Sequence, residues 1–226
     1  MVAHEHALEE RRARLAAARL YLICDARAGG PHVTDPGVLL RAALEGGVDI
    51  VQLRAKHADD SAILAAGEIF RRICDEHGAL FVVNDRPHLA RACRADGVHV
   101  GQDDAPVAKA RMIAGAELLV GLSTHTTAQL DAAGDADYIG VGPVYATPTK
   151  PGRPAVGLEL VRYAATRAAS PFFAIGGIEP ANVTDVVAAG APRIAVMRAI
   201  CEASDPRAAA AGLRVALERG APVGAA

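Results

Sequence analysis

Short apolar stretches alternate with amphipathic segments along almost the whole chain. The apolar stretches are four to six residues long and rich in Val, Ile, Leu and Phe, and Gly, Pro or Asp residues separate them from the segments that follow. Because strands buried on both faces are nearly continuous in apolar character, this pattern predicts a parallel sheet. Eight strands are predicted, over residues 20–24, 48–53, 80–83, 97–100, 118–121, 138–142, 172–175 and 193–196.

Strand–helix repeats of roughly 25 residues, eight times over, predict an α/β protein with a single-domain (β/α)8 TIM barrel. With 226 residues, of which 51% are hydrophobic, the chain can bury one large core. A doubly wound open sheet is the alternative, but no Gly-x-Gly-x-x-Gly sequence follows the first strand. We expect an N-terminal helical extension over residues 1–19, the barrel over 20–219 and a tail over 220–226.

Overall composition restricts the classes of partner and the compartment. The formal net charge of −2 argues against a general nucleic-acid or membrane surface. No uncharged apolar run reaches the ~18 residues of a membrane span, and the amino-terminal region lacks the apolar core of a secretory signal. The cysteines have no metal-ligand or redox spacing and suit a reducing compartment; they are Cys24, Cys74, Cys93 and Cys201. We therefore expect a cytoplasmic protein that binds small molecules, and a homo-oligomer is compatible with the sequence.

The sixth predicted strand leads directly into a polar segment. Residues 137–150 read DYIGVGPVYATPTK, so two hydroxyl residues, Thr147 and Thr149, and then Lys150 follow the strand. Hydroxyls, backbone amides and an ammonium group at the carboxyl end of a strand suit a phosphate-bearing ligand, and an exposed turn is the alternative. Lys150 is one of only three lysines among 24 basic residues, which favours a specific use of its compact ammonium group.

Polar groups or glycines follow most of the other predicted strands too. Because the carboxyl ends of all strands meet at one face of a (β/α)8 barrel, we expect these residues to form a single site. They are Gln52, Arg54 and Lys56 after the second strand, Asn84, Asp85 and Arg86 after the third, Gln102, Asp103 and Asp104 after the fourth, Ser123, Thr124 and His125 after the fifth, Gly176 and Gly177 after the seventh, and Met197 and Arg198 after the eighth.

Two pairs of charged residues in this set predict specific chemistry. Arg54 and Lys56 would point the same way from an extended segment, as a cationic fork for a diphosphate; a solvated surface pair is the alternative. Asp85 and Asp104 end neighbouring strands and suit Mg²⁺, which binds one or two carboxylates together with phosphate oxygens and water. The alternative for each carboxylate is to cap a following helix. Asp103 competes with Asp104 for the metal role.

Glycines and histidines complete the set of candidates. Gly176 and Gly177 lie where barrels often bind phosphate through backbone amides, and a tight turn is the alternative. His125 suits either a general base or a hydrogen-bond organiser among its hydroxyl neighbours. His99, between two valines, is predicted to be a buried core residue.

These motifs together resemble the thiamine phosphate synthase family. The resemblance extends from Tyr21 to Arg214. Its motifs are QLRAK at 52–56, VNDR at 83–86, DGVHVGQDD at 96–104, GLSTHT at 121–126, the segment 137–150 and AIGGI at 174–178. Six motifs in this order, each at the end of a predicted strand, make the resemblance specific.

The resemblance implies an enzyme that joins a hydroxymethylpyrimidine diphosphate to a thiazole phosphate and releases pyrophosphate. The implied reaction is dissociative: the C–O bond breaks first, and the thiazole nitrogen captures the carbocation. By the same resemblance, the residues that hold the pyrimidine diphosphate are Gln52, Arg54, Lys56 and Asn84, the Mg²⁺ ligands are Asp85 and Asp104, the contacts to the pyrimidine substrate or the departing pyrophosphate are Ser123 and Lys150, and the residues around the thiazole phosphate are Thr147, Pro148, Thr149, Gly177, Met197 and Arg198. The expected catalytic residues are Arg54, Lys56, Ser123 and Lys150.

Three other functions are compatible with a barrel of this kind. A thiazole tautomerase-like paralogue would bind similar phosphates but would have no pyrophosphate to expel, so the paired carboxylates and the cations favour the synthase. A Schiff-base aldolase would use Lys150 as its nucleophile, but a setting built for anions keeps an ammonium group charged. A phosphate-ligand-binding barrel without turnover would not need a metal site. Within the family pattern, Arg198 stands where many relatives carry a small or hydroxyl residue, so its guanidinium would join or alter the backbone contacts there.

Overall fold

The computed structural model describes residues 2–25, 32–33, 35–147 and 154–220, with side chains from residue 5 onward. Its strands are β1 (Leu20–Asp25), β2 (Ile50–Arg54), β3 (Leu80–Asn84), β4 (Gly97–Val100), β5 (Leu119–Thr124), β6 (Tyr138–Val141), β7 (Phe172–Ile175) and β8 (Ile194–Val196). All are parallel, each pairs with the next along the chain, and β8 pairs with β1 to close the barrel. The predicted (β/α)8 fold is confirmed.

Helices surround the barrel and also close one end of it. They are α1 (Val2–Ala17), α2 (Pro36–Glu45), α3 (Asp60–His77), α4 (Pro87–Ala90), α5 (Val107–Ala114), α6 (Thr127–Asp131), α7 (Gly157–Arg167), α8 (Val183–Ala188), α9 (Arg198–Cys201) and α10 (Pro206–Arg219). Helix α2 begins as predicted, because the Asp35 carboxylate accepts hydrogen bonds from the backbone N–H groups of Gly37 (2.7 Å) and Val38 (3.2 Å), with Pro36 at the first position. Among the described helices, none combines the length and apolar character needed to cross a membrane.

Local backbone geometry explains where the elements differ from the sequence prediction. Strand β2 begins at Ile50 and not at Val48, because the N–H of Val48 bonds back to the carbonyl of Ala43 in the preceding helix. Helix α4 ends at Ala90, before Arg94, which has a left-handed φ of 52°. The short helix α9 was not predicted from the sequence.

Helix α1 covers the amino-terminal end of the barrel. Its Leu15 and the following Ala18 are each only 2% exposed and pack with side chains of the barrel interior, among them Tyr21. The guanidinium of Arg193, just before β8, donates to the carbonyls of Ala16 (2.8 Å) and Ala18 (3.0 Å). These bonds satisfy carbonyl groups that a helix end leaves without partners, so α1 is fixed to the barrel.

Three aspartates hold the same end of the barrel together. Asp49, Asp96 and Asp137 directly precede β2, β4 and β6, and we call them the base aspartates. Each accepts a hydrogen bond from a backbone N–H of the strand before it, from Leu20 (2.9 Å), Phe81 (2.8 Å) and Val120 (2.8 Å) respectively. Each also pairs with an arginine of an outer helix, Arg214 (2.6 Å), Arg71 (2.8 Å) and Arg111 (2.8 Å) respectively. The base aspartates thus tie strands to one another and to the helix layer.

Helix α1 joins two of these ion pairs. Arg11 donates to Asp96 at 3.3 Å, and Arg12 lies 2.7 Å from Asp137. Two arginines that meet buried carboxylates therefore fix the amino-terminal helix on the barrel, together with the apolar residues of that helix. The sequence alone did not determine this position.

The glycine directly after β6 is required by close packing, and we expect its replacement to destabilise the protein. A Cβ atom on Gly142 would lie 1.9 Å from the carbonyl oxygen of Ile175, far inside contact distance. We predict that Gly142→Ala lowers the free energy of unfolding by about 1–3 kcal/mol, the usual cost of overpacking. Gly212→Ala is the control, because a Cβ there meets nothing within 4 Å in a helix interior, and it should stabilise by up to ~1 kcal/mol. Urea denaturation of both variants measures this, and equal stability of the two would contradict the prediction.

Candidate active site

A cavity of about 520 Å³ opens at the carboxyl ends of the strands. The sequence-predicted site residues that line it are Gln52, Arg54, Lys56, Asn84, Asp85, Asp104, Ser123, Thr147, Gly177, Met197 and Arg198. Pro148, Thr149 and Lys150 lie outside the described residues. The structure therefore brings together every described residue that was expected to bind a substrate or the metal, from seven strands or the loops that follow them. Of the larger set of strand-end residues, Arg86 and Thr124 do not line the cavity, and Thr124 Oγ1 instead donates to the carbonyl of Gly140 at 3.1 Å.

The two predicted metal ligands, Asp85 and Asp104, lie side by side. The carboxyl of Asp85 is within hydrogen-bonding reach of that of Asp104, and Lys56 Nζ lies 3.7 Å from Asp85 Oδ2. Burial raises the pKa of the Asp85 carboxyl, as do its hydrogen bond to Asp104 and the charge of that group, whereas Lys56 and Asn84 lower it. Two carboxylates this close repel each other, so the pair is an attractive site for a divalent cation.

Neither carboxylate caps a helix, which was the alternative prediction for both. The residue that precedes α4 is Arg86, the residue that precedes α5 is Pro106, and neither helix receives a capping bond from a side chain. Asp104 instead accepts a hydrogen bond from the backbone N–H of Gly101 at 2.7 Å. Asp85 has a left-handed φ of 61°, which is rare outside glycine. Strained backbone of this kind concentrates at functional sites, because the surroundings must hold it in place.

Of the three basic residues at or just after the ends of β2 and β3, two line the cavity and one does not. Arg54 at the end of β2 and Lys56 two residues on both line the cavity. Arg86, which also follows a strand, points elsewhere: its guanidinium pairs with Asp60 and donates to the carbonyl of Ala58 at 2.7 Å. Arg86 is therefore a structural residue, whereas Lys56 places a positive charge beside the carboxylate pair and Arg54 lines the same cavity.

The opposite wall of the cavity is made by backbone from β6, β7 and β8. Gly176 and Gly177 have positive φ values of 101° and 63°. A Cβ on Gly176 would lie 2.5 Å from Pro143 Cα, and one on Gly177 would lie 2.7 Å from Tyr145 Cβ. The two glycines thus permit a tight turn and a close approach of the β6 loop, and their backbone still lines the cavity.

Arg198 begins α9 at the edge of the same wall. Its guanidinium lies 3.5 Å from a carboxylate oxygen of Glu179 and 3.8 Å from one of Glu202. Both partners are about half exposed, so these contacts hold the guanidinium weakly. A bound anion could compete for it.

The floor of the cavity contains a chain of hydrogen bonds that the sequence interpretation did not identify. Gln52 Nε2 donates to Tyr21 Oη (2.6 Å), and Tyr21 Oη lies 3.0 Å from Tyr138 Oη. Tyr138 Oη lies 3.2 Å from His99 Nδ1, and His99 Nε2 lies 2.9 Å from Ser123 Oγ. His99 is 9% exposed, so the expected burial is observed, but its ring lines the cavity and does not pack in the outer core.

The strand sequences contained a signal for this series of hydrogen bonds. His99 alternates with Val98 and Val100, which pack in the core between strands and helices, so its side chain faces the barrel interior. Tyr21 alternates with Leu20 and Leu22 in the same way. A buried tyrosine hydroxyl needs a hydrogen-bond partner, so inward-facing Tyr and His on different strands indicate a shared polar network.

His125 organises the backbone at the edge of the site. Its ring Nδ1 donates to the carbonyl of Gly142, and its backbone N–H donates to Gln129 Oε1 at 2.8 Å. These bonds fit the hydrogen-bond organiser more closely than the general base among the two predicted roles.

Comparisons with known proteins agree with this geometry. The family model described as thiamine monophosphate synthase matches residues 20–200. The thiamine-phosphate synthase of Thermobifida fusca is 54% identical over 211 residues, which cover 91% of this chain and 95% of that protein. The thiamine-phosphate synthase of Saccharopolyspora erythraea is 52% identical over 219 residues, covering 91% and 96%. The solved structure of a thiamine phosphate pyrophosphorylase from Pyrococcus furiosus superposes with a TM-score of 0.80 at 34% identity, covering 92% of this chain and 98% of that one.

Proposed function

The chain belongs to the thiamine monophosphate synthase family and is a transferase, and we propose that it couples 4-amino-2-methyl-5-hydroxymethylpyrimidine diphosphate to hydroxyethylthiazole phosphate. The products are thiamine phosphate and pyrophosphate. One observation carries the proposal: a cavity in which carboxylates and cations face a glycine turn. The carboxylate pair Asp85–Asp104 and the cations Arg54 and Lys56 line one wall, and the backbone turn at Gly176 and Gly177 lines the other. Such a cavity offers one anion-binding region for the diphosphate and a second for the thiazole phosphate.

We assign the diphosphate to the wall formed by β2, β3 and β4. Asp85 and Asp104 would hold Mg²⁺, since two adjacent hard carboxylates are the donor set that this ion takes from a protein when substrate phosphates supply the rest. When bound, Mg²⁺ supplies positive charge against the diphosphate. In the described part of the chain, no group of three or more His, Cys, Asp or Glu side chains is arranged to hold a metal.

In the proposed reaction, the C–O bond between the pyrimidine methylene carbon and the diphosphate breaks. The electron pair leaves with the pyrophosphate oxygen, and Arg54 and Lys56 stabilise the negative charge that develops there. The lone pair of the thiazole nitrogen then forms the new C–N bond to the carbocation. No protein nucleophile is needed, so the chain contributes by binding, by orienting the two substrates and by excluding water from the cation.

The phosphate of the thiazole substrate would bind the opposite wall. Backbone at Gly177, together with Thr147 and the Met197–Arg198 segment, lines the cavity there. Through the family motif, Pro148 and Thr149 belong to the same proposed set, whereas Lys150 is proposed to contact the pyrimidine substrate or the departing pyrophosphate. Arg198 can turn from Glu179 towards an incoming phosphate, which would replace a weak half-exposed ion pair with a charge-assisted bond.

The test of the function is an assay with both substrates. We expect thiamine phosphate and pyrophosphate to form in equal amounts, the reaction to stop when EDTA removes divalent cations, and Mg²⁺ to restore it. Interconversion of thiazole tautomers without consumption of the pyrimidine diphosphate would show a tautomerase instead. Binding of both phosphates without turnover would show a ligand-binding barrel, and borohydride trapping of a carbonyl substrate would show a Schiff-base enzyme.

A further inference from the structure

Five side chains from five different strands form one hydrogen-bonded chain across the barrel interior, and we call it the interior relay. Its members, in order of contact, are Gln52 on β2, Tyr21 on β1, Tyr138 on β6, His99 on β4 and Ser123 on β5. Gln52, Tyr21 and Tyr138 are almost completely buried, whereas Ser123 lies at the cavity wall. The relay therefore runs from almost completely buried side chains to a hydroxyl at the wall of the cavity.

Strand β5, which carries Ser123, also makes room for the relay. Gly121 lies in the middle of β5, where glycine costs stability. A Cβ on Gly121 would lie 2.2 Å from Tyr138 Cζ and 2.6 Å from His99 Nδ1. The space that glycine leaves is therefore filled by the contact between the Tyr138 hydroxyl and the His99 ring.

Each hydroxyl has one proton to donate, so the first bond sets the direction of the others. The amide N–H of Gln52 donates to Tyr21, which leaves the Tyr21 proton for Tyr138. Tyr138 then donates to His99 Nδ1, and the neutral imidazole keeps its proton on Nε2. Burial raises the pKa of both tyrosines, so they remain donors at any physiological pH.

His99 Nε2–H consequently donates to Ser123 Oγ. A serine hydroxyl that accepts this bond keeps its own proton free to donate elsewhere. We propose that Tyr138 and His99 are positioning residues that fix Ser123 as a hydrogen-bond donor towards the substrate. The benefit to catalysis rests on the proposed function, because a donor at this position would stabilise the negative charge of the departing pyrophosphate.

If the donor and acceptor of each hydrogen bond in the relay were exchanged, Ser123 could no longer donate to the substrate. With the Gln52 amide reversed, His99 would carry its proton on Nδ1, and the Ser123 proton would be directed at His99 Nε2. The hydroxyl would then present only lone pairs to the cavity, which repel an anion. The tautomer of His99 thus decides whether Ser123 helps or hinders the departure of a diphosphate.

The direction of the relay can be measured without any substrate. In ¹⁵N NMR spectra of the whole protein, the His99 signals are those missing from His99→Asn. We expect the Nε2–H tautomer in the unmodified chain and a mixture of tautomers in Tyr138→Phe, where the donor to Nδ1 is lost. An Nδ1–H tautomer in the unmodified chain would overturn the proposal, whatever reaction the enzyme catalyses.

A double-mutant cycle tests the effect on catalysis. We expect Tyr138→Phe to lower kcat about 10-fold with little change in KM, and to change kcat less than 2-fold when Ser123→Ala is already present. His99→Gln, whose amide N–H can replace Nε2–H, should retain more activity than His99→Asn. Equal losses for Tyr138→Phe in both backgrounds would show a role in packing alone and contradict the proposal. Absence of any coupling activity in the unmodified chain would instead contradict the proposed function, and the tautomer measurement would still report on the relay.

Discussion

Replacing Asp85 with Asn is expected to lower kcat/KM for thiamine phosphate formation by roughly 1,000-fold while the melting temperature rises. The activity falls because one of two carboxylates proposed to hold Mg²⁺ becomes a neutral amide, and metal charge of this kind is worth several kcal/mol. Asn is the right replacement, because Asp85 has a left-handed backbone that Asn tolerates and most other residues do not. The variant therefore changes the charge without disturbing the turn.

The expected gain in stability follows from the pKa of Asp85. Burial, chiefly, and the neighbouring Asp104 raise this pKa in the folded protein. A folded state with a raised carboxyl pKa binds the proton more tightly than the unfolded chain, so the ionised group destabilises the fold at neutral pH and ceases to do so only in acid. An amide carries no such penalty. A relief of ~1 kcal/mol corresponds to a rise of roughly 2–4 °C for a chain of this size.

Asp103→Asn is the matched control for Asp85→Asn. Asp103 is exposed and lines the same cavity, and the sequence alone did not separate its role from that of its neighbour Asp104. We expect this variant to keep activity within about 3-fold of the unmodified chain, since an exposed carboxylate outside the pair adds little charge effect. Steady-state kinetics and thermal melting without divalent cations measure both variants. If Asp103→Asn lost as much activity as Asp85→Asn, the assignment of the metal to the Asp85–Asp104 pair would be wrong.

Replacing the base aspartate Asp96 with Ala is expected to lower the free energy of unfolding by about 3 kcal/mol. Its carboxylate accepts a hydrogen bond from the backbone N–H of Phe81 and pairs with Arg71, whose side chain is only 7% exposed. Without Asp96, a buried N–H and a buried guanidinium both lose a partner, and a buried charge that loses its partner is expensive. Urea denaturation measures the difference.

Asp75→Ala separates this effect from a general loss of charge. Asp75 pairs with the same Arg71 at 2.7 Å, but its own side chain is 57% exposed. Water replaces such a partner readily, so we expect a loss of less than ~1 kcal/mol. Similar losses for the two variants would mean that the buried hydrogen bond to Phe81 contributes little.

The sequence predicted those features that depend on local patterning. The alternation of apolar strands and helices determined the barrel, and the signal of Asp35 followed by Pro36 located the start of α2 correctly. The site residues that follow the strands were predictable because a closed parallel barrel brings all carboxyl ends to one face. That inference needs only the order of the elements and no knowledge of distances.

Features that depend on contacts between distant parts of the chain were not predictable in this way. Tyr21 and Tyr138 are 117 positions apart, and only the register of the closed barrel brings their hydroxyls within 3.0 Å. Arg86 has the same local setting as the residues that face the cavity, but a partner in another helix, Asp60, draws it away. The left-handed backbone of Asp85 likewise follows from its surroundings and not from its residue type.

The base aspartates have a consequence for how this molecule can be altered by protein engineering. They fasten β2, β4 and β6 at the end of the barrel opposite to the cavity, and a strand of about five residues separates the two ends by roughly 16 Å. Substitutions or loop grafts that reshape the cavity entrance therefore leave the hydrogen bonds and ion pairs of the base aspartates intact. We expect libraries directed at the loops after β6 and β8, for example to admit bulkier azoles, to contain a high proportion of folded proteins.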